Sequence, residues 1–105
     1  MVVGAPRFNN DTGQVYVFIR NGNTWSPQQT LLSTEPAGRL FGFAVAIDGD
    51  TLAIGVPGSS AVLVYTRNGT SWTQQQRITR QDAGQQFGIS VAINGGTIVA
   101  SSTVN

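Results

Sequence analysis

Two copies of one hairpin pattern constrain this chain more than any single residue does. Residues 41–57 read FGFAVAIDGDTLAIGVP, and residues 87–103 read FGISVAINGGTIVASST, 46 positions later. In each copy apolar runs flank an Asp-Gly or Asn-Gly pair, which favours two short strands joined by a type I′ turn with positive φ at both central residues. The first copy predicts strands at residues 43–47 and 51–55. An internal repeat of this length indicates that one structural unit recurs along the chain.

The repeat extends beyond the hairpin. Residues 15–25, VYVFIRNGNTW, match residues 62–72, VLVYTRNGTSW, 47 positions later, and VGAP at residues 3–6 is similar to IGVP at residues 54–57. One unit therefore contains four strands. Its order is Phe-Gly, a strand, a turn, a strand ending in Gly-x-Pro, a third strand, an Asn-Gly turn, and a fourth strand with Trp and Gln. No stretch has the period of an amphipathic helix, so the chain is predicted to be all-β.

This order of motifs resembles the FG-GAP repeat of integrin α-chain-like β-propellers over nearly the whole chain. The resemblance implies propeller blades, each a four-stranded antiparallel sheet: a partial blade at residues 1–32, a full blade at 41–78 and a second partial blade at 87–105. Propellers contain about 4–8 blades, so two cannot close a ring alone. We expect the propeller to be completed by homo-oligomerisation, most simply as a trimer with six blades or a tetramer with eight. The alternative is a fragment of a longer FG-GAP propeller.

The predicted strands number one more than two blades require. In blade order they are 2-3-4, then 1-2-3-4, then 1-2, and the segments at residues 2–5 and 97–101 both resemble second strands. Where two chains meet, one duplicate strand must be displaced or added. A lone chain would expose sheet faces and strand edges, which self-assembly would cover.

Aromatic and glycine residues of the repeat are interpreted as structural. Phe41 and Phe87 are expected to pack between adjacent blades, while Gly42 and Gly88 let two backbones approach closely because they lack a Cβ. Trp25 and Trp72 begin outer strands and are expected to cover blade edges. A sugar-stacking role for the two tryptophans is the alternative, since a surface ring presents a flat apolar face.

Neither a metal site nor a catalytic site is predicted. The FG-GAP resemblance implies a calcium loop of the DxDxDGxxD kind, but this chain has only Asp48-Gly49-Asp50 and Asn94-Gly95-Gly96 at those places. Calcium takes about 6–8 oxygen ligands, more than a two-residue turn supplies. The chain has no His or Cys, and Ser59-Ser60 has no recognisable base partner. We therefore expect no cofactor and no enzymatic activity.

Charge composition argues against two classes of partner. Only 10% of residues are charged, and six basic residues, all Arg, are offset by five acidic ones. A nucleic-acid-binding face would need a basic cluster. No apolar run approaches the ~18 residues of a membrane span, so no membrane insertion is expected. The first residues lack the features of a signal peptide. The resemblance suggests a secreted or cell-surface protein, and the sequence itself leaves the compartment open.

One face of the predicted sheets is the expected ligand face. In a four-stranded meander, the loops between strands 2 and 3 share a face with the connectors from strand 4 to the next strand 1, and variable loops on a rigid scaffold often carry function. The expected ligand-face residues are Arg7, Phe8, Asn9, Asn10, Asp11, Glu35, Arg39, Arg80, Asp82, Gln85 and Gln86. The first functional hypothesis is a non-enzymatic, self-assembling module. The second is a lectin-like or adhesion propeller that binds a glycan or a protein on this face.

Overall fold

Three separate antiparallel sheets make up the described part of the chain. The computed structural model describes residues 2–6, 12–35, 38–79 and 85–103. The first sheet contains β1 (Val2–Ala5), β2 (Gln14–Asn21) and β3 (Thr24–Leu32). The second contains β4 (Ala44–Asp48), β5 (Thr51–Val56), β6 (Ala61–Asn68) and β7 (Ser71–Thr79), with a 3₁₀ turn at Pro57–Ser59. The third contains β8 (Gln85–Asn94) and β9 (Thr97–Thr103).

The all-β prediction is thus confirmed, and three antiparallel sheets are consistent with β-propeller blades. Within each sheet, strands adjacent in sequence are adjacent in space, which is the meander order that the repeat predicts. None of the described residues belongs to a helix long and apolar enough to cross a membrane.

The predicted type I′ turns are wrong. Asp48 stays in the ladder opposite Thr51, so the loop of the β4–β5 hairpin is Gly49-Asp50. Positive φ occurs at the glycine and not at the residue after it, which is the type II′ pattern. The same pattern recurs in every hairpin that has a two-residue loop, with φ between 59° and 67° at Gly22, Gly49, Gly69 and Gly95.

Both outer strands carry the same one-residue bulge. In the first sheet Val17 is opposite Gln29 and Phe18 is opposite Pro27, so Gln28 is the extra residue. In the second sheet the same shift occurs between Val64 and Tyr65, 47 positions later. A bulge increases local twist and redirects the neighbouring side chains. The repeat is therefore preserved even in its irregular feature.

The hydrophobic core lies between the first two sheets. Val15, Val17 and Leu31 project from one face of the first sheet, and all three are buried. Facing them, β5 and β6 contribute a set of fully or almost fully buried side chains, which includes Leu52, Ile54, Leu63 and Tyr65. Phe41 belongs to the same buried cluster and is 0% exposed. Burial of this apolar surface holds the two sheets together.

A glycine-to-glycine contact recurs at both junctions between sheets. A Cβ on Gly4 would lie 2.1 Å from the carbonyl oxygen of Gly42, and a Cβ on Gly55 would lie 2.0 Å from that of Gly88. Ordinary carbon–oxygen contacts are far longer, so these positions admit glycine alone. The second and third sheets therefore pack with the geometry of the first and second.

Candidate functional site

A shallow polar recess of about 310 Å³ opens beside the connector between the first two sheets. We call it the Glu35 recess. Its lining comes from the connector after β3, from the 3₁₀ turn between β5 and β6, and from β7: Glu35, Arg39, Gly58, Ser59, Ser60 and Arg77. Loops of two different sheets thus meet at one place.

Backbone hydrogen bonds fix the walls of the Glu35 recess. The Gly58 amide donates to the Arg39 carbonyl oxygen at 3.0 Å, and the Arg39 Nη1 donates to the Gly58 carbonyl oxygen at 2.9 Å. Gly58 must be glycine here, because a Cβ would lie 2.6 Å from the Arg39 Cα. On the connector, the Ser33 Oγ accepts a hydrogen bond from the Glu35 amide at 3.0 Å. The connector is therefore tied to itself and to the following loop.

An ion pair dominates the electrostatics of the Glu35 recess. Arg77 donates from Nη2 to Glu35 Oε1 at 2.8 Å and from Nε to Oε2 at 3.0 Å. The Arg77 hydrogen bonds hold the pKa of Glu35 below its usual value, the Ser59 hydroxyl and the Arg39 charge add to this, and burial opposes it. The same pair raises the pKa of Arg77.

The Glu35 recess accordingly holds one carboxylate and two guanidinium groups, a net charge of +1. Glu35 is already paired and only 5% of its side chain is exposed, so the groups available to a ligand are mainly the exposed donors of Arg39 and the partly exposed serine hydroxyls. Such a set suits an anionic or hydroxyl-rich ligand group. Glu35 is the only carboxylate among the described lining residues, and its engagement by Arg77 makes it a poor general base.

The structure brings together two of the predicted ligand-face residues, Glu35 and Arg39. Gln85 and Gln86 lie in β8, and only their backbone is described. The remaining predicted residues lie outside the described part of the chain: Arg7, Phe8, Asn9, Asn10, Asp11, Arg80 and Asp82. Ligand binding by this face stays a prediction.

Two parts of the Glu35 recess were not predicted as ligand residues. Ser59 and Ser60 lie between strands 2 and 3 of their sheet, so the loop logic used for residues 7–11 could have identified them. Arg77 lies inside β7, and its long side chain reaches the connector from a strand. No local sequence signal marks that reach.

The predicted packing residues occupy different environments. Phe41 and Gly42 are buried between the first two sheets, Gly88 is buried at the next junction, and Phe87 is half-buried. Trp72 is 4% exposed and Trp25 is 46% exposed, although both occupy the same position of the repeat. Trp25 is thus far more exposed to solvent than Trp72, its equivalent in the other copy of the repeat.

Trp72 is held by two glutamines of the first sheet. The Gln29 Oε1 accepts a hydrogen bond from the Trp72 amide at 2.7 Å, and the Gln29 Nε2 donates to the Trp72 carbonyl oxygen at 3.2 Å. The Trp72 indole Nε1 donates to the Gln28 Oε1 at 2.9 Å. We call this set of three bonds the Gln–Trp clamp. Sequence reasoning missed it, although a Gln pair follows Trp at the same distance in both copies.

Both acidic residues at the β4–β5 hairpin have protein partners. The Asp48 Oδ2 accepts a hydrogen bond from the Gly95 amide of the next hairpin at 2.6 Å. The Asp50 Oδ1 accepts one from the Arg67 Nε at 2.8 Å. The described residues include no group of three potential metal ligands. That the chain binds no metal stays a prediction.

Comparison with known proteins finds a family match in the C-terminal part of the chain. No curated protein matches the sequence. Residues 72–105 match the family model described as FG-GAP repeat. The match begins at Trp72 in β7 and includes both strands of the third sheet. Residues 72–105 are therefore similar to the FG-GAP repeat, in a chain whose antiparallel sheets are consistent with β-propeller blades.

Proposed function

We propose that this chain is a non-enzymatic assembly unit whose copies join head to tail into a closed β-propeller. The observation that carries the proposal is the contrast between the middle sheet and its neighbours. Among the described residues, the second sheet has four strands and is packed on both faces, whereas the first sheet has three strands and the third has two.

The open face of the first sheet supports this proposal. Strand alternation places Val3, Tyr16, Phe18 and Trp25 on the face directed away from the second sheet. Val3 is 42% exposed, Tyr16 and Phe18 are half-buried, and Trp25 is 46% exposed. Their equivalents in the middle sheet, in the same order, are Ile54, Leu63, Tyr65 and Trp72, which are 0–5% exposed. A face that is buried in one repeat and partly exposed in the other is the kind of surface that binds a partner.

The strand count fits copies of the same chain as that partner. The nine strands of the described residues supply two four-stranded blades with one strand left over. Three chains would then form six blades and four chains eight, within the ring sizes of about 4–8 blades. Head-to-tail contacts of this kind give a ring when the rotation closes. In a longer propeller, neighbouring repeats of the same chain would cover the same faces.

Native mass spectrometry tests the assembly. The expected result is one dominant closed species, a trimer or a tetramer, at micromolar concentration. A well-folded monomer at that concentration would contradict the proposal, since it would keep the apolar face of the first sheet in water.

Binding of a glycan or a protein at the Glu35 recess is the second candidate function. It is favoured by the cluster of Arg39, Ser59 and Ser60 around the neutralised Glu35–Arg77 pair. A glycan array that compares the wild-type protein with Arg39→Ala tests it. Specific signal lost in the variant would support a binding role, and equal signals for both proteins would contradict it.

A further inference from the structure

We propose that the copies join through a second Gln–Trp clamp, in which Gln75 and Gln76 of one copy hold Trp25 of the next. This inference rests on the proposed assembly and specifies its interface. The partner is a second copy of this chain.

The repeat itself supplies the argument from position. Gln28 and Gln29 correspond to Gln75 and Gln76, and Trp72 corresponds to Trp25, all at a spacing of 47 residues. Gln28 is displaced from its ladder by a bulge, and Gln75 is displaced by the equivalent bulge in the second sheet. One clamp is formed inside the chain, between β3 and β7. The equivalent groups, Trp25 in β3 and Gln75-Gln76 in β7, are not joined to each other within the chain.

The unjoined halves are available for a partner. Gln28 and Gln29 are half-buried, whereas Gln75 and Gln76 are exposed. Among the described residues, no hydrogen bond links a protein group to the Trp25 indole or to the side-chain amide of Gln76. Gln75 donates only from its Nε2, to the Thr73 hydroxyl at 3.2 Å, which leaves its Oε1 free to accept from an indole N–H as the Gln28 Oε1 does.

The two halves also lie on the correct faces. A Cβ on Gly55 would point at the Gly88 carbonyl group. The face that carries Gly55 and Val62 is therefore turned toward the third sheet. Gln76 is opposite Val64 on that same face, as Gln29 is opposite Val17. The third sheet packs mainly on β4, β5 and β6, and most of β7 stays exposed.

An incoming first sheet would complete this arrangement. Placed beside β8, the strands β1–β3 of a second copy would cover the exposed part of β7 with the face that carries Trp25. The composite sheet would then consist of β8 from one copy and β1, β2 and β3 from the next, four strands in blade order.

This arrangement also identifies the surplus strand. Position 55 must be glycine, because its Cβ would collide with the Gly88 carbonyl of the following sheet. The equivalent residue is Gly4 in β1 and Ser101 in β9. Gly4 already makes the contact, with Gly42, whereas a serine in that place would collide with the carbonyl of the next Phe-Gly pair. Strand β1 therefore keeps the second-strand position in the composite sheet, and β9 is displaced.

Dilution experiments on the full chain test the clamp. The variants are Trp25→Ala and Gln76→Glu; glutamate keeps an acceptor but cannot donate to the Trp25 carbonyl. The matched control is Gln74→Ala, an exposed glutamine on the same strand that contacts Thr34 of its own chain. Native mass is measured over a concentration series. Each test variant should raise the concentration at half-assembly at least tenfold, since each removes one or more interfacial hydrogen bonds, and the control should match the wild type.

The outcomes separate the clamp from the assembly. If the wild type assembles and both test variants assemble at the wild-type concentration, the clamp is wrong and the assembly stands. If the wild type is a monomer, both are wrong. Circular dichroism of the diluted variants checks that a lost assembly is not a lost fold, because Trp25 and Gln76 are exposed in a single chain.

Hydrogen–deuterium exchange provides an independent test of the strand assignment. On assembly of the wild type, amides of β1 should become more protected and amides of β9 less protected. Stronger protection of β9 with no change in β1 would overturn the assignment of the surplus strand.

Discussion

The glycine contact between sheets makes a quantitative prediction for Gly55→Ala. The added Cβ would lie 2.0 Å from the Gly88 carbonyl oxygen and 3.0 Å from its carbonyl carbon, against an ordinary contact of 3.4–4 Å. The colliding atoms are backbone, so the third sheet must move by more than an ångström to accept the methyl group.

The size of the effect follows from two opposing contributions. Forcing an extra methyl group into a packed junction costs about 1–3 kcal/mol, and backbone contacts place this variant near the upper end. Lower entropy of the unfolded chain returns about 0.4–1 kcal/mol. The net loss is about 2 kcal/mol, or roughly 10 °C in melting temperature for a chain of this size.

Gly96→Ala is the matched control, because it adds the same methyl group where nothing lies within 4 Å. Its φ is outside the left-handed region, so the free energy of unfolding should stay the same or rise by about 0.4–1 kcal/mol. Both variants are compared by calorimetry and urea titration at one protein concentration, since assembly affects the melting temperature. Equal melting temperatures for Gly55→Ala and Gly96→Ala would refute the steric reasoning.

Four further predictions concern the polar groups. Arg77→Gln should destabilise the fold by about 1–3 kcal/mol, because the Glu35 carboxylate, only 5% exposed, then lacks its main partner. Glu35→Gln should destabilise it less, and equal urea midpoints for the two variants would contradict this. Because the pKa of Glu35 is lowered, the Glu35–Arg77 pair stabilises the folded state above pH 4.5, and this stabilisation is lost as the pH falls below 4.5. The loss of stability on acidification should be smaller in Arg77→Gln. Burial, followed by the charge of Glu35, raises the pKa of Tyr65 to about 12 from 10.0. The folded state therefore favours the neutral phenol, and on the order of 2 kcal/mol of stability should be lost as the pH rises from 10 to 12. Tyr65→Phe should not show this loss, and urea titrations across that pH range can check both expectations. Gln29→Ala should lower the melting temperature and shift the Trp72 emission to longer wavelength, whereas Thr30→Ala, an exposed neighbour, should do neither.

Local features of the sequence predicted the fold well. Strand alternation and turn glycines act over a few residues, so the repeat predicted nine strands, and they lie close to the predicted positions. The type of turn was predicted wrongly, because Asp48 stays extended in its ladder opposite Thr51 and the loop is Gly49-Asp50. The same loop position recurs at Gly22, Gly69 and Gly95, so the register of the repeated ladder sets the turn, and a local preference for Asp-Gly does not include that register.

The candidate site was only partly predictable for a related reason. Glu35 and Arg39 lie on a connector, which the strand pattern identifies. The groups that engage them, Arg77 on β7 and Gly58 after β5, lie 42 and 19 residues further along the chain and are brought there by the packing of the sheets. The Gln–Trp clamp spans 43 residues for the same reason, and only comparison of the two repeat copies could have indicated it.

The meander order of the strands has a consequence for how the chain acquires its structure. Within each sheet, strands that are neighbours in sequence pair with one another, so each sheet forms from short loop closures that cost little entropy. During synthesis from the N-terminus, β4–β7 can form a complete sheet before β8 has been made. Folding within a sheet should then be fast, and the slower event should be the docking of one finished sheet on the next at the glycine contacts.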